Sequence, residues 1–285
     1  MAHPPITITA YERRYHRELM RLVDEQYRVH LHLDWTTLDE WIHEQRTVVR
    51  LAWDGDILVG ALSVSPPIER CAWLRLAVIH DDADPQTIFG MLWPAVREQA
   101  AANGAREVGV LLLRPWLGTF LPELGFAEYE NVVTLARNGG PIPKPLRNDL
   151  MVQHGTLADL ERAVSVDHAA FGPLWRMSPA SLRQAIRSAN SFTLALQGRQ
   201  LLGYQVSMRY SDGGHLARLA TVPEAQGTGV GGALLAEMLE GYARRGLHYL
   251  TVNTQETNRQ SLSLYRRYGF NPTGLDYPVW RTTLV

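Results

Sequence analysis

Gln226-Gly227-Thr228-Gly229-Val230-Gly231-Gly232 is the stretch on which the reading of this chain turns. An apolar run, Leu216 to Val222, leads into it, and Ala233-Leu234-Leu235-Ala236-Glu237-Met238-Leu239 has the make-up of a helix. Strand, glycine turn and helix together predict an anion site. Glycines let the backbone approach a ligand, several N–H groups point one way, and the helix N-terminus adds partial positive charge. The expected ligand carries a phosphate or pyrophosphate. Gly227, Gly229 and Gly232 satisfy G-x-G-x-x-G, the dinucleotide fingerprint. That reading asks for an acidic residue roughly 20 positions on, at the end of the next strand, and for several further βα units. The next strand is expected at Leu247 to Val252, Asn253 stands where the acid belongs, and few residues follow. The dinucleotide reading fails on both counts. A glycine-rich turn with no ligand is the bland alternative.

Gln226, Gly229 and Gly231 also satisfy Q-x-x-G-x-G, and a second motif follows. It is Asn258-Arg259-Gln260-Ser261-Leu262-Ser263-Leu264-Tyr265-Arg266-Arg267-Tyr268-Gly269-Phe270, of the form N-x-x-[AS]-x-x-L-Y-x-x-x-G-F. Leu219-Ala220-Thr221-Val222-Pro223-Glu224 supplies a lead-in to the loop. Residues 150–285 therefore resemble a GCN5-related N-acetyltransferase (GNAT) domain. Within that superfamily they are most similar to bacterial ribosomal-protein N-terminal acetyltransferases, also through Ala170-Phe171-Gly172-Pro173-Leu174-Trp175. The resemblance implies a mixed α/β (α+β) sheet, acetyl-CoA as co-substrate, and a pyrophosphate loop spanning Gln226 to Gly232.

At about 100–200 residues per domain, 285 residues suggest two domains. A net charge of −1 gives no case for a nucleic-acid or membrane partner. The single cysteine, Cys71, excludes an internal disulfide, and with no signal-peptide pattern the expected setting is the cytoplasm.

Asn138-Gly139-Gly140-Pro141-Ile142-Pro143-Lys144-Pro145 reads as a stiff linker, because neither a helix nor a central strand tolerates it. It sets the expected domains at 1–140 and 150–285. The two sides repeat. Leu51-Ala52-Trp53-Asp54-Gly55 matches Leu194-Ala195-Leu196-Gln197-Gly198 at an offset of 143 (194 − 51), and Gly125-Phe126 matches Gly269-Phe270 at 144 (269 − 125). Both halves are expected to open with a strand and an amphipathic helical segment, Arg17 to Val29 and Leu157 to Ala170, and to end on a strand pair. The expectation is a tandem GNAT protein with pseudo-two-fold-related copies, a monomer resembling a dimer of single-domain relatives. The first copy is degenerate. Opposite the glycine loop it offers Ala83-Asp84-Pro85-Gln86-Thr87-Ile88, preceded by Asp81 and Asp82, which would repel a pyrophosphate. Leu121 lies opposite Tyr265, and Arg114 opposite Asn258.

Acetyl transfer to an amine needs a neutral amine, a stabilised oxyanion and a proton for the departing thiolate. The resemblance assigns the last to Tyr265, seven residues and about two helical turns beyond Asn258; a packed core tyrosine is the alternative. Asn258 either hydrogen-bonds the pantetheine or caps the helix. Leu219, Ala220 and Thr221 would contribute backbone. The general base is open: the ribosomal-protein enzymes carry glutamate where Asn253 stands, leaving Glu256, Asp212, His215 or a water chain. His30-Leu31-His32 with Asp34 reads as a metal site or as a polar face near a helix end, and no metal is expected. Trp35, Trp41, Trp53, Trp73, Trp93 and Trp116 read as core and inter-domain packing. Arg244, Arg245, Arg266 and Arg267 are candidates for the CoA 3′-phosphate or simply solvated. The expected function is transfer of an acetyl group from acetyl-CoA to a primary amine of a small molecule or peptide. The alternatives are a mycothiol-synthase-like enzyme and a non-catalytic acyl-CoA sensor.

Overall fold

Two strand–helix–strand units, each with a parallel pair joined through a long helix, organise the chain. The computed structural model describes residues 5–44, 46–147 and 149–284. The first unit contains β1 (Thr7–Ala10), α1 (His16–Glu25), β2 (Arg28–Leu31), α2 (Leu38–Trp41), β3 (Val48–Asp54), β4 (Ile57–Val64), β5 (Cys71–Ile79), α3 (Pro85–Ala102), β6 (Glu107–Leu111) and α4 (Pro115–Gly118). β7 (Ala127–Asn138) leads into the second unit. There follow β8 (Met151–His154), α5 (Leu160–Ala170), α6 (Pro179–Ser188), β9 (Ser191–Gln197), β10 (Gln200–Arg209), β11 (Gly214–Thr221), α7 (Val230–Ala243), β12 (Tyr249–Gln255), α8 (Arg259–Arg267) and β13 (Asn271–Thr283).

Local sequence accounts for most of these elements. β9 and β10 meet at Gly198, whose φ of 57° suits a tight hairpin turn. β5 and β6 run parallel, as do β11 and β12, so each pair needs a crossover, which α3 and α7 supply. α3 buries Ile88, Phe89, Leu92, Trp93 and Val96 against the first sheet. Each such side chain contributes about 1.5–3 kcal/mol of transfer free energy. Trp41, Trp53, Trp73 and Trp93 are buried in the first unit, as expected of core residues.

Two expectations need correction. The helical segment expected over Arg17 to Val29 ends at Glu25, and Arg28–Leu31 is a strand paired with Leu76–Ile79 of β5. Sheet pairing outweighs helical periodicity there, and His30 consequently lies buried in a strand instead of at a helix end. Each half also closes on one long strand, not a strand pair, and these strands are exchanged. β7 pairs antiparallel with β12, Val132 opposite Gln255 through Asn138 opposite Tyr249. The end of β13 pairs with β6, Val279 opposite Leu111 through Thr283 opposite Glu107. The compact units are therefore residues up to Glu130 with those from Tyr277 onward, and Asn131–Asp276. The glycine- and proline-rich stretch at 138–145 lies inside the second unit.

Candidate active site

The glycine loop forms the entrance to α7. Gly227 and Gly229 have φ of 74° and 97°, backbone that side-chain-bearing residues rarely adopt, and a Cβ on Gly227 would meet nothing within 4 Å. Gly229 is the N-cap and offers no side-chain hydrogen bond, so the first-turn amides of this 14-residue helix have no internal acceptor. The first turn holds no acidic residue. That is the arrangement an anion needs, open at Gly227 and flanked at Gly229 by Leu146 and Arg147, which a Cβ there would meet at 3.3 and 3.5 Å.

The remaining loop residues hold its shape. Gln226 Nε2 donates to the Thr221 carbonyl at 3.2 Å, and Thr228 Oγ1 donates to the Ala225 carbonyl at 2.8 Å. Val230 and Gly232 are buried. A Cβ on Gly231 would come within 3.2 Å of Leu264, and one on Gly232 within 3.0 Å of the Tyr268 hydroxyl, which donates to the Gly232 carbonyl. These two glycines let α7 lie close against α8.

β11 supplies an open backbone edge. It pairs with β10 through Leu219, Ala220 and Thr221, but with β12 only over Gly214–Leu216. The β10–β11 register skips Ala217, a bulge that bends β11 away just where the parallel pairing stops. The outer N–H and C=O groups beyond it face the gap between the strands. Tyr265 lies in the core of α7 and α8, its ring 5.9 Å from that of Phe270. Burial pushes its phenol well above the ordinary tyrosine value, opposed by a hydrogen bond with the Ser261 side chain. Asn258 is the N-cap of α8, its Oδ1 accepting from the Ser261 N–H at 3.0 Å.

Asn253 is exposed on β12, opposite Thr134 of β7. Of the three base candidates, His215 sits where β11 and β12 are still joined, Nδ1 at 2.8 Å from Thr251 Oγ1, and burial lowers its pKa. Asp212 precedes β11 at the closed end. Glu256 alone follows β12 on the side where the strands part, its N–H bonded to the Asn131 carbonyl at 2.8 Å.

Two features escaped the sequence. Arg147 reaches the loop, Nη1 at 3.4 Å from Thr228 Oγ1, while Nε donates to Asp149 Oδ1 at 2.8 Å. Asp167 is fully buried and accepts from Arg218 Nε at 2.7 Å, from the Tyr204 hydroxyl at 2.6 Å and from the Met177 N–H. Arg218 also stacks 3.5 Å from the Phe171 ring and donates to the Trp175 carbonyl. This network pins the Phe171–Met177 segment beside the opening strand. No periodicity marks either feature, because each joins residues far apart in sequence. In the first unit, Asp34 is taken up by His32 Nε2 at 3.2 Å and Arg75 at 3.0 Å. His30 is held neutral, its pKa pushed down to about 3 by burial first and then by His32, Arg75 and Arg114.

The second unit therefore carries a glycine-lined helix end, an opened strand edge and a buried tyrosine. Residues 162–279 match the family model of the acetyltransferase (GNAT) domain. A mycothiol acetyltransferase of Brachybacterium faecium is 29% identical over 227 residues, covering 69% of this chain and 68% of that one. The ribosomal protein bS18-alanine N-acetyltransferase of Escherichia coli is 26% identical over 125 residues, 44% of this chain and 83% of that one. Among solved structures, a tandem GNAT protein from the clavulanic acid biosynthesis pathway superposes with a TM-score of 0.64 at 15% identity, covering 99% of each chain. A GCN5-related N-acetyltransferase from Sphaerobacter thermophilus gives 0.63 at 16%, covering 99% and 97%. Residues 162–279 thus form a GNAT acetyltransferase domain, and the whole chain has the fold of tandem GNAT proteins; it is an acyl-CoA-dependent N-acetyltransferase. No helix among the described residues is long and apolar enough to cross a membrane.

Proposed function

We propose that the second unit transfers an acetyl group from acetyl-CoA to a primary amine, and that the first unit binds no cofactor. The observation that carries this reading is the uncapped N-terminus of α7, opened by two glycines in left-handed backbone. When bound, acetyl-CoA supplies an activated thioester. The loop amides from Gln226 to Gly232 hold its pyrophosphate, assisted by the Arg147 guanidinium. The free edge of Leu219–Thr221 pairs with the pantetheine amides and directs an N–H at the thioester oxygen. Amine nitrogen attacks the carbonyl carbon, the C–S bond breaks, and Tyr265 Oη gives its proton to the sulfur. Glu256 takes the proton released by the amine, directly or through water. Asn258 acts by fixing the start of α8, and so the direction of Tyr265.

A small polar amine is the favoured acceptor over a protein N-terminus. The match to the mycothiol enzyme covers 69% of the chain, more than either unit alone, whereas the match to the ribosomal-protein enzyme covers 44%. Thiol release from acetyl-CoA, measured against a panel of amino sugars, polyamines and short peptides, tests the reading. Saturable release with a small amine is expected. Tight acetyl-CoA binding with no release against any amine would make the second unit a sensor.

A further inference from the structure

The first unit holds a group of side chains for which acetyl transfer has no use. His16 opens α1, Asp39 lies in α2, and His43 follows α2 by two residues. One nitrogen from each imidazole and one oxygen of Asp39 lie within 4.8 Å of one another. Asp39 and His43 are four residues apart on one turn, so they project from the same face. His16 Nε2 is 3.3 Å from Asp39 Oδ1. In a tetrahedral zinc site with bonds of about 2.0–2.1 Å, neighbouring ligand atoms are roughly 3.3 Å apart. That pair already has the spacing of two ligands.

An ordinary ion pair joins His16 and Asp39, and His43 comes beside them with its ring 6.0 Å from that of Tyr11. The His43 ring lies alongside that of His16, centroids 6.1 Å apart and planes 27° from parallel. Tyr11 supplies the second observation. Its hydroxyl is 3.1 Å from His16 Nδ1. With Nδ1–H donating to that oxygen, Nε2 turns its lone pair toward the lone pairs of Asp39. An oxygen partner on the far nitrogen is how proteins orient a metal-binding histidine.

We propose that His16, Asp39 and His43 bind one divalent first-row transition ion, with water in the fourth position, and that the ion ties α1 to α2. Two imidazoles with one carboxylate suit Zn²⁺, Co²⁺, Ni²⁺ or Cu²⁺ and disfavour Mg²⁺ and Ca²⁺. The site is independent of the chemistry assigned to the second unit.

The test uses the full chain without an affinity tag, stripped with chelator and desalted, then titrated with CoCl2. One equivalent should develop the intense visible absorption of four-coordinate cobalt. ZnCl2 should displace it and MgCl2 should not. His43→Ala and Asp39→Asn each alter an exposed side chain and should weaken binding by at least about tenfold, with far-ultraviolet dichroism unchanged. Tyr11→Phe should weaken it about tenfold, the lower end of the range for such outer partners. Zn²⁺ should raise the melting temperature of the wild type and not of His43→Ala. Two results overturn the proposal: no stoichiometric Co²⁺ binding, or equal binding by the wild type and a His16→Ala/His43→Ala double variant, which would place the ion on other histidines.

Discussion

α3 and α7 follow corresponding strands of the two units, yet their first turns are filled in opposite ways. Asp84 caps α3, its Oδ2 accepting from the Thr87 N–H at 3.0 Å, and Pro85 removes one amide from the first turn. Gly229 caps α7 and brings no acceptor. In one unit the protein's own carboxylate satisfies the helix end; in the other no side chain caps it. The openings between parallel strands differ likewise. β5 and β6 pair only over Cys71–Trp73, and the β4–β5 register skips Arg75, so that gap persists in the first unit. There Arg75 donates to Asp34 and to the His32 carbonyl, whereas the bulge of β11 carries the small Ala217. The two units keep the same strand–helix–strand order while their helix ends and strand gaps are filled differently.

Writing Asp84 into the second unit breaks the contrast most completely. Gly229→Asp combines a costly left-handed backbone with a carboxylate at the pyrophosphate position, so acetyl-CoA affinity should fall by more than about 10²-fold. Calorimetry showing one site per chain in the wild type and none in the variant is the expected result; two equivalent sites in the wild type would end the asymmetry. Tyr265→Phe copies the second difference, since Leu121 occupies the corresponding place as a buried core residue. We expect kcat to drop by roughly 10²–10⁴-fold with little change in acetyl-CoA affinity. Because burial raises this phenol, it stays protonated through neutral and mildly alkaline pH. The wild-type rate should therefore show no alkaline limb from Tyr265 near the ordinary tyrosine value.

Glu256→Gln should lower kcat/KM by about tenfold or more at neutral pH, and by less at high pH where the free amine is plentiful. An unchanged profile would hand the proton to solvent. Arg147→Ala should weaken acetyl-CoA binding about fivefold in low salt and by less in high salt, because a cation partly open to solvent is screened. Equal loss at both ionic strengths would indicate collapse of the loop instead. The smallest effect sharpens the comparison from the other side. Asp84→Ala should lower the melting temperature slightly by removing a helix cap, without creating a second cofactor site, since Pro85 still removes an amide.

Legibility in the sequence followed the range of the interactions. The loop, α7, α8 and the Gly198 hairpin are set by neighbours within one or two turns, and their residues announced them. Asn258 was open to two readings, a pantetheine partner or a helix cap, and the structure shows its side chain in the cap. The exchange of β7 and β13 was not visible, because strand partners are chosen by burial and edge availability across the whole chain. Arg218 could not be assigned for the same reason: its partner Asp167 is 51 positions away. The reading of His30 failed because four residues of strand, Arg28–Leu31, carry too little periodicity to stand against a preceding helix.

The strand exchange sets a timetable for synthesis. β6 is translated about 170 residues before its partner, the end of β13 (279 − 111 = 168 at the nearest pair). At roughly 5–20 residues per second, a nascent first unit waits on the order of 10–35 s with that sheet edge exposed. Exposed edges recruit other strands. Crowded polysomes, with many such edges waiting together, are where this fold is most vulnerable to misassembly, and slower translation of the second half lengthens the exposure in proportion.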